Sequence, residues 1–127
     1  MGVSNFSRTN LDKALATGYE VCLNQVEFHP SLNQKELKDY CEKNNIIVTA
    51  YSPNGQGQDL TLLSIVEIAN RLNITTTQVI LSWLRQKGIV AIPKSTKKEH
   101  IKENLDSLKT TLNTEDFQKI DSLNTNN

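Results

Sequence analysis

The chain has 127 residues, with 14 Lys plus Arg against 14 Asp plus Glu and an isoelectric point near 6.7. Its 37% hydrophobic and 22% charged content is that of a globular domain, and the length predicts one such domain. The balanced charge excludes a net basic field that would draw nucleic acid or a membrane surface, and no apolar run reaches the ~18–20 residues of a membrane span.

The N-terminus lacks the apolar stretch of a signal peptide, and Cys22 and Cys41 do not make a disulfide framework. Both cysteines read as reduced packing residues, and a cytoplasmic location is the expectation.

Along the chain, a short apolar strand, a polar loop and an amphipathic helix recur. The first strand runs from Met1 to Asn5 or Phe6. A helix capped by Ser7 or Thr9 follows over Asn10–Thr17, closed by Gly18. The second strand is Val21–Phe28, ended by Pro30, and Ser31 or Asn33 opens a helix through Lys43 with Leu37, Tyr40 and Cys41 on one face.

The third strand is Ile46–Tyr51, followed by a polar loop over Asn54–Asp59. Two helices come next: Leu60–Leu72, with Leu63, Val66, Ile68 or Ala69 and Leu72 inward, and Thr75–Lys87, with Val79, Ile80, Trp83 and Leu84 inward. The fourth strand is Ile89–Pro93. Ser95 or Thr96 caps the next helix, with Thr96 and Glu99 at capping-box spacing, and its apolar stripe is Ile101, Leu105 and Leu108. A last helix spans about Glu115 to Leu123, capped by Asn113 or Thr114, and the tail beyond it should fray.

Strands alternating with helices imply a parallel sheet with right-handed crossovers. In such folds ligands meet the C-terminal ends of the strands, so the residues at strand exits carry the information. Lys94, Ser95 and Thr96 combine a cation, two hydroxyls and a helix N-terminus, which suits a phosphate or equally a simple cap with a solvated lysine.

Tyr51 can stack on a flat ring with Ser52 beside it, or close the edge of the core. Ser4, Asn5 and Gln25 can read a ligand amide or cross-brace strands. His29, next to Pro30, can serve as a general base or, more commonly for a histidine beside a strand-ending proline, as a structural hydrogen-bonder. His100, Glu103 and Asn104 lie on the helix after Lys94, where a solvated face or an auxiliary anion contact both fit. No glycine-rich phosphate loop, zinc spacing or hydrolase triad pattern is present.

Taken in order, Gly2-Val3-Ser4-Asn5-Phe6, Asn24 through Pro30, Thr49-Ala50-Tyr51-Ser52-Pro53, Ile92-Pro93-Lys94-Ser95 and His100 through Leu105 resemble the C-terminal half of an aldo-keto reductase. The resemblance covers nearly the whole chain. It implies four consecutive β/α units, the fifth to eighth of a TIM (β/α)8 barrel, as a single partial domain over residues 1–127.

It also implies NADP(H) as cofactor. Ser4, Asn5 and Gln25 match positions that bind the nicotinamide carboxamide, Tyr51 the tyrosine that stacks on the ring, and Ser52 a pyrophosphate contact. Lys94, Ser95 and Thr96 match the loop holding the 2′-phosphate, and Glu103 and Asn104 match adenine contacts. His100 stands where the family commonly has an arginine on the 2′-phosphate and adenine. Histidine lacks that bidentate fork, so NAD(H) stands beside NADP(H) as a candidate.

The family's catalytic Asp, Tyr, Lys and His lie on the second to fourth strands and their loops, so the resemblance places none of them here. Neither Tyr51 nor His29 is a tetrad residue. Met1 falls inside the fifth strand, as in an internal start, a truncated gene or an excised piece. Three expectations follow. The chain serves a carbonyl substrate when completed by an N-terminal half; it self-associates, as a homodimer, without catalysis; or it is a fragment with no independent role.

Overall fold

The computed structural model describes residues 1–125. Four parallel strands, β1 (Gly2–Ser4), β2 (Leu23–Glu27), β3 (Ile47–Tyr51) and β4 (Val90–Ala91), form one sheet in sequential order. Helices α1 (Arg8–Ala16), α2 (Lys35–Lys43), α3 (Leu63–Leu72) with α4 (Thr76–Gln86), and α5 (Lys98–Asp106) follow the strands, and α6 (Thr114–Asp121) closes the described chain.

Sequential order, parallel pairing and intervening helices are those of consecutive β/α units of a (β/α)8 barrel. The strands are shorter than expected, because pairing is confined to Gly2–Ser4 against Leu23–Gln25, Leu23–Glu27 against Ile47–Tyr51, and Thr49–Ala50 against Val90–Ala91.

The sheet has two unlike faces. Val26, Val48 and Ala50 point to the helices and join Phe28, Ile65, Ile68, Val79, Ile80 and Trp83 in the core. The opposite face carries Leu23, Ile47 and Val90, with Ile47 52% and Val90 50% exposed. Apolar side chains standing free on a parallel sheet are unusual, since parallel sheets are normally covered on both faces.

Local chemistry explains most helix ends. Ser7 accepts a hydrogen bond from Asn10 N, and Gly18 takes the left-handed conformation (φ +86°) that closes α1. Thr75 and Gln78 form a reciprocal capping box on α4, and Asn113 caps α6.

Several expectations are corrected. α2 starts at Lys35 without a side-chain cap, because Ser31 is engaged by Asp59 and the Asn33 amide donates to Asp121 O. α3 starts at Leu63 rather than Leu60, because Asp59–Thr61 form a 3₁₀ turn; Leu63 is exposed and Ile65 is buried in its stead.

The capping box at Thr96 does not form. Lys97 occupies the cap position of α5, and the Ser95 hydroxyl accepts a long 3.4 Å bond from Lys97 N. The stripe of Ile101, Leu105 and Leu108 is exposed rather than buried. The tail does not simply fray, since Thr125 N donates to Ser31 O at 3.0 Å; residues 126–127 lie outside the described residues.

Candidate cofactor site

The strand register brings polar groups together at the C-terminal end of the sheet. Ser4, Gln25 and Thr49 lie side by side on the open face, one row before Glu27 and Tyr51. Ser4 Oγ donates to Gln25 O at 3.2 Å, bracing β1 against β2.

Asn5, just past β1, sits in the left-handed region (φ +58°), which asparagine tolerates better than most residues. That conformation turns its side chain to the Tyr51 hydroxyl, which donates to Asn5 Oδ1 at 2.9 Å. One end of the tyrosine ring is thereby fixed and its orientation set by two strands.

Tyr51 and Ser52 form one wall of a cleft of about 500 Å³, together with Pro53, Asn54, Gln56 and, from beyond β4, Lys94. Ser52 also has positive φ (+50°), so the chain bends sharply from strand into loop. The volume is that of a small-ligand cleft. A fixed aromatic ring, a hydroxyl and an exposed lysine on one concave surface give a place to stack a flat ring and to hold an anion.

Among residues expected to act together, Tyr51, Ser52 and Lys94 share this cleft, Asn5 touches Tyr51, and Ser4 and Gln25 lie one row below. The others are set apart. Ser95 and Asn104 line a second, mainly apolar groove of about 450 Å³ between α4, β4 and α5. Thr96 and His100 are exposed near the start of α5, and the Glu103 carbonyl accepts from Gln78 Nε2 at 3.0 Å. No group of His, Cys, Asp or Glu among the described residues is placed to hold a metal.

Two polar groups escaped the sequence reading. Among the described residues, Thr49 Oγ1 is buried on the open face of β3 with no hydrogen-bond partner, and Asn54 Oδ1 is buried without a partner in the wall of the cleft. Thr49 shares its face with Tyr51 by simple strand alternation, a signal the sequence did contain. Asn54 follows Pro53 in a polar loop, where nothing distinguishes it from a solvated residue. Unsatisfied buried acceptors beside a cleft are the kind of group that a bound ligand or water completes, which fits a ligand carrying amide and hydroxyl donors.

The aldo/keto reductase family profile matches residues 1–61 and 59–125. The chain is 46% identical over 125 residues to a glyoxal reductase of Bacillus subtilis, covering 98% of this chain and 45% of that protein. It is 45% identical over 130 residues to aldose reductase B of Dictyostelium discoideum, covering 99% of this chain and 42% of that protein. Its fold superposes with a TM-score of 0.94 on a Gox0644 variant crystallised in complex with NADPH, at 36% identity and covering 97% of this chain and 46% of that one. The chain thus spans about half the length of the curated relatives it matches.

Proposed function

The chain belongs to the aldo/keto reductase family, and on that premise we propose that it forms the cofactor-binding half of an NADP(H)-dependent carbonyl reductase. The observation that carries this reading is the Tyr51–Asn5 hydrogen bond, which holds an aromatic ring at the wall of the cleft that Lys94 also lines. A Gox0644 variant of the same fold was crystallised with NADPH, and this supports the cofactor.

In this reading Ser4, Asn5 and Gln25 orient the nicotinamide amide and Tyr51 covers one face of the ring. Ser52 meets the pyrophosphate, and Lys94, Ser95 and Thr96 hold the 2′-phosphate, with His100, Glu103 and Asn104 on the adenine side. The cofactor supplies the hydride when bound. Reduction of a carbonyl also needs a proton donor near the substrate oxygen. The family's Asp, Tyr, Lys and His fall on a part of the barrel this chain does not match, so the proton must come from elsewhere.

The exposed Ile47 and Val90 on the inner face and the bare stripe on α5 support a partner that completes the barrel. The occupant that fits is a polypeptide with the N-terminal four β/α units of the family; a second copy of this chain is the competing outcome. The cytoplasm remains the proposed location.

NADPH fluorescence titration of the chain tests this reading. Binding without aldehyde turnover is expected, with turnover appearing only when an N-terminal half is added. Lys94→Ala should weaken NADPH by about 2 kcal/mol, as for a charged hydrogen bond. Turnover by the chain alone would overturn the assignment of the missing acid, and absence of any nucleotide binding would overturn the cofactor role.

A further inference from the structure

The loop after β3 forms one wall of the cleft, and its backbone is strained. Ser52 and Gln56 have φ of +50° and +57°, alongside Gly55 at +60° and Gly57 at +94°. Two non-glycine residues in this region cost on the order of 1 kcal/mol or more each, so the conformation persists only if the surroundings hold it.

Its hold is a buried carboxylate. Asp59 is 2% exposed and has no lysine or arginine within salt-bridge distance among the described residues. It accepts instead from Ser31 N at 2.9 Å and Ser31 Oγ at 2.8 Å, and lies 3.1 Å from His29 Nδ1. Ser31 Oγ also lies 3.0 Å from His29 Nδ1, and a carboxylate only accepts, so the Asp59 contact is a hydrogen bond in the tautomer with the hydrogen on Nδ1.

The platform Asp59 grips is itself rigid. His29 and Leu32 exchange reciprocal backbone hydrogen bonds of 3.1 and 2.9 Å, and Pro30 between them is buried. His29 Nε2 lies 3.3 Å from Glu27 Oε2, and Glu27 is paired in register with Tyr51. The other end of the connection is as tight: a Cβ on Gly55 would meet Asp59 Oδ1 at 2.7 Å, so only glycine lets the loop close over the carboxylate.

We propose that Asp59, held by Ser31 and His29, is a positioning residue for the nicotinamide-diphosphate end of the cofactor. It fastens the loop carrying Asn54 and Gln56 to the turn after β2, and so keeps the cleft beside Tyr51 open in one shape. This rests on the cofactor reading above. Lys94, on the far wall, does not depend on this connection, and neither does α5.

The test is Asp59→Ala in the full chain, titrated with NADPH and, separately, with adenosine 2′,5′-bisphosphate, which lacks the nicotinamide and the diphosphate. Hydrogen exchange is followed at the amides of Gly55, Gly57 and Gln58. The variant should bind NADPH about tenfold more weakly, hold the bisphosphate within about twofold, and exchange faster at those amides.

Unchanged NADPH affinity, unchanged loop exchange, or an equal loss of both nucleotides would each overturn the proposal. Wild-type chain that binds neither nucleotide would overturn the cofactor reading, and the proposal with it. Ser31→Ala keeps the backbone donor and removes the hydroxyl. It should give the same selective pattern at about threefold if Asp59→Ala does not fold, and an unselective or absent effect counts against the proposal.

Discussion

Trp83 Nε1 donates a 2.8 Å hydrogen bond to Asp121 Oδ1, and the ammonium of Lys87 lies 2.7 Å from the same oxygen. The Lys87 side chain is only 12% exposed, and its charge sits 5.2 Å from the centres of both the Trp83 and the Phe117 rings. One carboxylate on α6 therefore satisfies two donors on or just beyond α4, and the last helix is fastened to the core through it.

Asp121→Ala leaves a largely buried ammonium and an indole N–H without their acceptor. It should destabilise the chain by about 3 kcal/mol, whereas Trp83→Phe loses the indole N–H and some volume and should cost less. Urea denaturation measures both. A loss below about 0.5 kcal/mol for Asp121→Ala would mean α6 is held by packing alone.

Thr49→Val offers the opposite sign. The hydroxyl it removes is buried and unpartnered among the described residues, while the shape is nearly kept, so the variant should gain about 1 kcal/mol. A higher urea midpoint with an unchanged slope is the expected record, and a lower midpoint would show that the hydroxyl is in fact satisfied.

The two thiols should behave differently. Cys22 is exposed, whereas Cys41 is buried at 0% exposure and burial pushes its thiol above the usual range, partly offset by a hydrogen bond from Asn24. Native protein at mildly alkaline pH should release one equivalent of a disulfide probe quickly, with the second appearing only on unfolding. Because the folded state disfavours the thiolate, this contribution to stability is intact below the ordinary thiol pKa and is lost as pH rises through the raised one.

Pairing Ile101→Glu with Leu105→Lys probes the seam at α5. Both positions are more than half exposed, so folding should shift by less than about 1 kcal/mol. Association with a barrel-completing half, read by sedimentation, should be abolished. Intact association would place the contact away from α5.

What could be read in the sequence was mostly local. The caps at Ser7 and Asn113, the glycine that ends α1 and the inward face of α4 each depend on residues within one turn of each other. The starts of α2 and α5 could not be read that way. Ser31 and Asn33 look like caps, but they are drawn off to Asp59 and Asp121, 28 and 88 residues away.

The site divides along the same line. Tyr51, Asn5 and Lys94 stood out because they sit at strand exits, where ligands meet parallel sheets. Asp59 looked like one more polar loop residue. Its burial arises only when the turn after β2 closes over it, a contact that no pattern along the chain announces.

The strands at the two borders of the sheet are the shortest, three residues in β1 and two in β4. So brief a border exposes few free backbone donors and acceptors, and holds a strand without matching side chains only weakly. A partner that closes the barrel would pair with both borders, and side-chain fit would select it from other strands. The chain can leave a sheet open at both ends without inviting endless stacking, and recognition is left to the bare apolar surface of α5 and the inner face.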